Sequence, residues 1–170
     1  MTLHWTWSRF VDLRADDLYD ALALRARVFV VEQACAFQDP DGVDRHCWHL
    51  LGRDATGTLV AYLRVVDPPA PGGGPGDRRA GPTADPGTDP LAAAPAIGRV
   101  VTAPEVRGTG AGRTLFAEGL ARCVTAWPGR GVWLNAQSRL EPFYAGFGFR
   151  RAGEDFLEDD IPHVPMWRAP

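Results

Sequence analysis

The sequence predicts a mixed α/β (α+β) fold with at least one parallel pair of strands. The second half of the chain reads as a strand at Ile97–Thr102, a helix at Gly110–Trp127 and a strand at Gly131–Ala136. Strands on either side of a crossover helix commonly pair in parallel within one sheet. The first half predicts a helix and an antiparallel hairpin, so the sheet is expected to be mixed.

The first helix is predicted from apolar periodicity. Leu18, Leu22, Ala26 and Phe29 recur at spacings of four, four and three, which places them on one helical face. Asp16 is the candidate N-cap residue.

A hairpin follows this helix. The apolar run Leu59–Val66 comes after the turn-like segment Asp54–Gly57, and the first arm contains Trp48–Leu51.

The later elements are bounded by turn residues. The helix Gly110–Trp127 places Phe116, Leu120 and Val124, together with Trp127, on one face and stops at Pro128. A short helix is predicted at Leu140–Phe147. The tail Phe149–Arg168 has room for two further strands.

Between about residues 68 and 95, half of the positions are proline or glycine. Such a composition cannot build a helix or bury a core, so this segment is predicted to be a flexible insertion. A chain of 170 residues lies within the single-domain range, and we expect residues 1–170 to form one domain that carries this insertion.

Composition narrows the classes of partner. The formal net charge is −3 and no basic block of five or more residues occurs, which argues against nucleic-acid binding. No apolar run approaches the roughly 18 residues of a membrane span, and the first residues lack the pattern of a signal peptide. Three cysteines at unrelated spacings argue against a disulfide framework. These features predict a cytoplasmic protein with reduced thiols and a small partner.

A glycine-rich turn at Arg107–Gly112 separates the predicted strand from the long helix. Three glycines in five residues let the backbone turn tightly and approach a ligand closely. The first amides of the following helix and its dipole favour a phosphate or pyrophosphate there. Arg107 and Arg113 add charge-assisted donors. A plain flexible turn is the alternative interpretation.

Two common phosphate-binding motifs do not fit this turn. A P-loop needs a lysine after its last glycine, whereas Gly112 is followed by Arg113. The dinucleotide fingerprint needs a glycine three residues after Gly110, but Arg113 stands there. It also needs an acidic residue to bind the ribose, and none occurs between Glu118 and Glu141.

The turn instead resembles the Gln/Arg-x-x-Gly-x-Gly/Ala signature of the GCN5-related N-acetyltransferases (GNAT). Phe143–Phe149 resembles the tyrosine-plus-Gly-Phe segment of that family. The segments Phe29–Cys35 and Gln38–Gly42, with the tail Glu158–His163, are similar to its ElaA-type branch. The resemblance covers nearly the whole chain apart from the insertion.

The resemblance implies a GNAT fold, with a central sheet of about six to seven strands splayed at a cofactor cleft and flanked by about four helices. It also implies acetyl-CoA as cosubstrate, bound by the strand end and the glycine turn. The expected cofactor-binding residues are Val100, Val101, Thr102, Arg107, Gly108, Thr109, Gly110, Ala111, Gly112 and Arg113. A homodimer is a further expectation, because relatives are often dimers.

Acetyl transfer to an amine needs an acid and a base. The Tyr144 phenol can protonate the leaving thiolate, and the resemblance also points to this residue; an aromatic core role is the alternative. An alkylammonium with a pKa near 10 must lose a proton before it attacks. Glu32, Asp160 and His163 are the candidate bases. Glu32 follows an apolar run that would raise its pKa, and a surface ion pair is the alternative interpretation of this residue. For His163 the alternative is a structural or exposed ring.

Two further clusters have other interpretations. Asp39, Asp41 and Asp44, with Glu158–Asp160, suit a cationic acceptor or are ordinary solvated surface. The histidines and cysteines near the hairpin do not match zinc-site spacings, so no metal is predicted.

These observations predict an N-acetyltransferase that moves an acetyl group from acetyl-CoA to a primary amine, on a small molecule or a peptide. No Cys-His pair has a recognisable spacing, which favours direct attack in a ternary complex over a covalent intermediate. A non-catalytic coenzyme A-binding module or sensor is the alternative. The sequence does not identify the acceptor amine.

Overall fold

The structure, a computed structural model, describes residues 2–68 and 94–170, and in these residues the chain forms eight strands and three α-helices. The strands are β1 His4–Arg9, β2 Cys47–Arg53, β3 Leu59–Val66, β4 Ala96–Thr102, β5 Val132–Gln137, β6 Arg150–Arg151, β7 Phe156–Glu158 and β8 Ile161–Arg168. The helices are α1 Ala15–Arg25, α2 Ala111–Ala126 and α3 Glu141–Ala145. A π-helical segment, Ala26–Glu32, continues directly from α1.

The mixed α/β fold class is confirmed, with small differences in the number of elements. The extra strands are β1, which the sequence analysis did not predict, and the short β6, whose two residues are too few for a periodic pattern. The described residues hold three α-helices, where the family resemblance implied about four. The predicted insertion lies mostly outside the described residues.

The described residues divide into two compact units. The first takes in the described residues up to Val66 together with Gly98–Gly119, and the second takes in the remaining described residues, including Leu120–Pro170. Crossing a bilayer takes a long apolar helix, and none of the helices described here qualifies.

The first unit is built on an antiparallel ladder. β1 pairs with β2, and β2 pairs with β3, which confirms the predicted hairpin. β3 is buried from Leu59 to Val65, and Leu50 and Leu51 of β2 are both fully buried. The Ala103 amide, just after β4, donates to the carbonyl of Val60 in β3 at 2.8 Å.

The face of α1 differs from the prediction. Leu18, Leu22 and Phe29 are only half-buried and Ala26 is exposed, whereas Ala21 and Leu24 are buried. The buried face also carries Arg25, which is fully buried among carboxylates, and a hydrophobic pattern cannot detect such a residue. Helix α1 begins at Ala15, so Asp16 lies in its first turn and is not the cap.

The prediction of the buried face of α2 was also partly wrong. Phe116 is fully buried as predicted, but Val124 is 47% exposed. The buried positions include small residues, at Ala111, Gly119 and Cys123. A β-carbon at Gly119 would lie 2.6 Å from Cδ2 of Leu63, so this glycine allows α2 to pack closely on β3.

The second unit is centred on β8. β5 pairs with β8 in antiparallel register from Val132↔Arg168 to Gln137↔His163, and β6 and β7 also pair with β8. The start of β4 pairs in parallel with β5 at Ala96↔Trp133, which confirms the predicted parallel pair. Val132, Leu134, Val164 and Met166 form the buried face of these strands.

The contact between Gly119 and Leu63 leads to a stability prediction. Gly119→Ala should lower the free energy of unfolding by about 1–2 kcal/mol, because overpacking outweighs the helix propensity gained. Denaturant unfolding measures the change. Gly112→Ala is the matched control in the same helix, since its β-carbon meets nothing closer than Thr102 Cγ2 at 3.8 Å. Equal stabilisation of both variants would contradict the close packing.

Candidate functional site

The glycine turn joins the end of β4 to the start of α2 in the first unit. A short 3-10 turn, Pro104–Val106, precedes it, and the Thr114 amide donates to the carbonyl of Gly110 at 3.0 Å in the first turn of the helix. The amides that precede Thr114 point out of the helix N-terminus, where the helix dipole favours an anion.

Backbone conformation is what requires glycine in this turn. Gly108 has φ +76° and Gly110 has φ +87°, which are left-handed values that side chains disfavour. Apart from the adjoining residues, no atom of residues 2–68 and 94–170 lies within 4 Å of where their β-carbons would be. The surface of the turn is therefore not covered by neighbouring groups of the described chain at these two positions.

Arg107 and Glu32, both predicted site residues, lie together. Nη1 of Arg107 donates to Oε1 of Glu32 at 2.6 Å, and Nη2 donates to Oε2 at 2.9 Å. Donation of these hydrogen bonds to the Glu32 carboxylate raises the pKa of Arg107. Both side chains are about two-fifths exposed, at 43% and 41%, and such a pair contributes only about 0.2–1 kcal/mol. Arg107 can therefore exchange this carboxylate for a phosphate at small cost.

Glu32 ends the π-helical segment, and its exposed ion pair with Arg107 agrees with the surface ion-pair interpretation rather than with a carboxylate at an apolar wall. Its neighbour Val31 is 75% exposed. Arg27 of the same segment pairs with Glu105 in the 3-10 turn. Two ion pairs thus link the π-helical segment to the chain around the glycine turn.

A closed ring of six charged side chains lies beneath these elements in the first unit, and we call it the ion ring. It alternates three guanidinium groups with three carboxylates: Arg25, Asp39, Arg99, Asp41, Arg64 and Asp44. The contacts, in that order around the ring, are 2.8, 2.9, 3.3, 2.5, 2.7 and 2.8 Å. Five members are almost fully buried, and Arg99 is 21% exposed.

Burial alone would raise the pKa values of Asp41 and Asp44, but the arginines outweigh this effect. For Asp41, hydrogen bonds and charge from Arg64 lower the pKa to about 2. Arg25 and Arg64 likewise lower the pKa of Asp44. Asp41 and Asp44 therefore stay ionised at neutral pH. Both interpretations of Asp39, Asp41 and Asp44, as a surface for a cationic acceptor and as solvated surface, were wrong. Their side chains are almost fully buried and paired with arginines.

His49 supports the ring with a defined tautomer. Its Nε2 lies 2.9 Å from the carbonyl oxygen of Asp44, which can only accept, so Nε2 carries the proton. The Tyr62 hydroxyl then donates to Nδ1 at 2.8 Å. Burial lowers the pKa of His49, so its imidazole stays neutral. Among the described residues, no group of His, Cys, Asp and Glu side chains is arranged to hold a metal ion.

Tyr144 belongs to the second unit, where α3 carries it. The side chain is 6% exposed and packs edge-to-face against Phe143 and Phe149. Burial raises its pKa to about 12, so the phenol holds its proton at neutral pH. It can donate that proton only to a group more basic than itself or one whose basicity rises during a reaction.

His163, on β8 of the second unit, also has a defined tautomer. Its Nδ1 lies 2.8 Å from the carbonyl oxygen of Ile161 and must be the donor. Nε2 therefore carries the lone pair that a general base uses. The ring stacks on Phe156, with centroids 5.8 Å apart.

Asp160, the remaining candidate base, has a structural role. Asp159 and Asp160 have φ +50° and +62° and connect the paired residues Glu158 and Ile161. Two left-handed residues in a two-residue loop match the preferred hairpin geometry, which aspartate tolerates.

Comparison with known proteins found chains that are similar to this one over nearly its whole length. The profile of the family described as Acetyltransferase (GNAT) domain matches residues 90–169. A UPF0039 protein of Synechocystis sp. is 36% identical, over 100% of this chain and 98% of that protein.

Two solved structures are similar over nearly their full lengths. An acyl-CoA N-acyltransferase from Pseudomonas aeruginosa is 38% identical, with a TM-score of 0.81, over 99% of this chain and 100% of that one. ElaA from Escherichia coli is 33% identical, with a TM-score of 0.79, over 98% of this chain and 99% of that one.

Proposed function

This chain belongs to the GNAT acetyltransferase family and to its ElaA-type branch, and from that premise we propose that it transfers an acetyl group from acetyl-CoA to a primary amine. The observation that carries the proposal is the glycine turn, whose two left-handed glycines leave the start of α2 accessible to an anion. Because the relatives align along nearly the whole chain, we treat residues 1–170 as one N-acetyltransferase domain.

The coenzyme A site is proposed to lie on the first unit. The amides of Gly108–Gly112 bind the pyrophosphate, and Arg107 turns to it from Glu32. Arg113 adds a second guanidinium at the helix start. The main-chain groups of Val100–Thr102 pair with the pantetheine arm as an added strand would. A main-chain amide of this strand can also stabilise the developing oxyanion.

The chemistry is proposed to be direct attack within a ternary complex. The amine nitrogen forms a bond to the acetyl carbonyl carbon, and the carbon–sulfur bond of the thioester breaks. His163 takes the proton of the amine at Nε2, and Tyr144 gives its proton to the leaving thiolate. We propose His163 rather than Glu32 as the base, because His163 Nε2 carries the lone pair while Nδ1 donates to the carbonyl of Ile161.

A covalent route through Cys47 or Cys123 has less support. Burial raises the pKa of the Cys123 thiol to about 12, and Cys47 is fully buried. Thiols of this kind are poor nucleophiles, because the thiolate is the reactive form.

The acceptor is proposed to be a small-molecule or peptide amine. We expect the enzyme to work in the cytoplasm, to form homodimers and not to bind nucleic acid, in line with its net charge of −3. The second candidate function is a non-catalytic coenzyme A-binding module. The burial of Tyr144 among aromatic rings is the observation that favours this alternative.

Binding at the glycine turn can be tested by thermal melting. Acetyl-CoA at 100 times its dissociation constant should add about 2.7 kcal/mol of stability. Gly110→Asp should abolish this stabilisation, because its carboxylate lies where the phosphate must bind. Gly110→Asn is the matched control with the same backbone strain and no charge, and it should retain more of the effect. Equal stabilisation of the wild type and both variants would rule out this site.

The role of Tyr144 can be tested by steady-state kinetics. Tyr144→Phe should lower kcat by about 10²-fold or more and leave acetyl-CoA binding nearly intact. Tyr19→Phe makes the same chemical change at a residue that is 75% exposed and should change nothing. If Tyr144→Phe keeps the wild-type kcat, Tyr144 is a core residue only.

His163 and Glu32 can be separated as bases. His163→Gln should lower kcat by about 10²-fold at neutral pH, and the loss should shrink towards about pH 10, where more of the amine is already neutral. Glu32→Gln should change kcat by less than about threefold, because Glu32 is proposed to pair with Arg107 and not to take the proton of the amine. The opposite ranking of the two variants would make Glu32 the base.

A further inference from the structure

Arg99 has a strained backbone in the middle of a strand. Four non-glycine residues of the described chain have positive φ, and of these only Arg99, at +51°, lies inside a strand. Arginine has no local reason to adopt this conformation, which is rare for residues that carry a β-carbon. Such strain persists only where the surroundings enforce it.

The ion ring supplies that enforcement. Arg99 Nε donates to Asp39 Oδ1 at 2.9 Å, and Nη2 donates to Asp41 Oδ2 at 3.3 Å. The guanidinium also lies over the Phe37 ring, 5.7 Å from its centroid. Both carboxylates are buried and held in turn by other arginines, so their positions are fixed.

Arg99 separates two parts of β4 whose main-chain groups have different partners. Before it, Ala96 pairs in parallel with Trp133. After it come Val100–Thr102, and then Ala103, whose amide bonds to Val60. A left-handed residue inside a strand bends the strand and changes the direction of the main-chain groups that follow.

We propose that Arg99 is a positioning residue for coenzyme A: through Asp39 and Asp41 it holds a kink in β4 that orients the main-chain groups of Val100–Thr102 for the pantetheine arm. This inference rests on the proposed function. Buried ion pairs are often no more stabilising than apolar residues of similar volume, so stability alone does not explain the ion ring. The inference gives the ion ring a role in cofactor affinity.

Variants at Arg99 should remain folded. When Arg99 is removed, Asp39 keeps Arg25 and Asp41 keeps Arg64, so each carboxylate retains a partner. Removal of Arg25 or Arg64 would also leave each neighbouring carboxylate one arginine. Those two side chains are almost fully buried, however, and their loss would leave a cavity, whereas Arg99 is 21% exposed. Arg99 is therefore the ring member through which the kink can be changed separately from the rest.

The test compares acetyl-CoA affinity in Arg99→Ala and Arg99→Gly by calorimetry. Both variants lose the guanidinium, but glycine adopts positive φ about as readily as negative φ and alanine does not. Arg99→Ala should bind about tenfold more weakly than the wild type, and Arg99→Gly should remain within about threefold. Arg14→Ala, an exposed arginine outside the ring, controls for loss of charge.

The order of affinities decides the inference. Weaker binding by the alanine variant alone supports it. Equal weakening of both variants would show that the side chain, not the kink, matters, and unchanged affinity in both would show that neither does; either result overturns it. If the wild type itself does not bind acetyl-CoA, the proposed function fails first, and this inference falls with it.

Discussion

The first unit depends on the mutual pairing of three arginines and three aspartates, of which all but the partly exposed Arg99 are almost fully buried. Each member of the ion ring would be costly to bury alone, because an unpaired charge in the interior costs several kcal/mol. Together they connect α1, the loop that carries the three aspartates, β3 and β4. His49, kept neutral by burial, completes this network without adding charge.

The ion ring fixes the start of the candidate site, and the following elements are positioned one after another along the chain. Arg99 fixes the direction of β4, and the Ala103 amide ties the end of the strand to β3. The two left-handed glycines then reverse the chain into α2, and Gly119 lets that helix pack closely against Leu63. Strand end, turn and helix start are thereby arranged before any ligand binds, which lowers the entropy cost of binding.

The elements of this site could be predicted from local patterns, but the ring could not. The arms of the hairpin, β4 and α2 follow from apolar runs and glycines within short windows. The ion ring joins residues as distant in sequence as Arg25 and Arg99. A short stretch of sequence shows only an acidic loop or a single arginine, and neither indicates the pairing. β1 was detectable, since Trp5 and Trp7 alternate, and Trp5 packs where Gly52 has no side chain. The positive φ of Arg99 has no local signal.

Acetyl transfer to an amine is the central claim, and product formation tests it most directly. The measurement is thiol release from acetyl-CoA across a panel of primary amines that includes polyamines, amino acids and peptides, with mass spectrometry of each mixture. The account predicts release that depends on at least one amine, together with that amine carrying one added acetyl group. Saturable binding of acetyl-CoA with no release that depends on any amine would contradict it and indicate a coenzyme A-binding module instead.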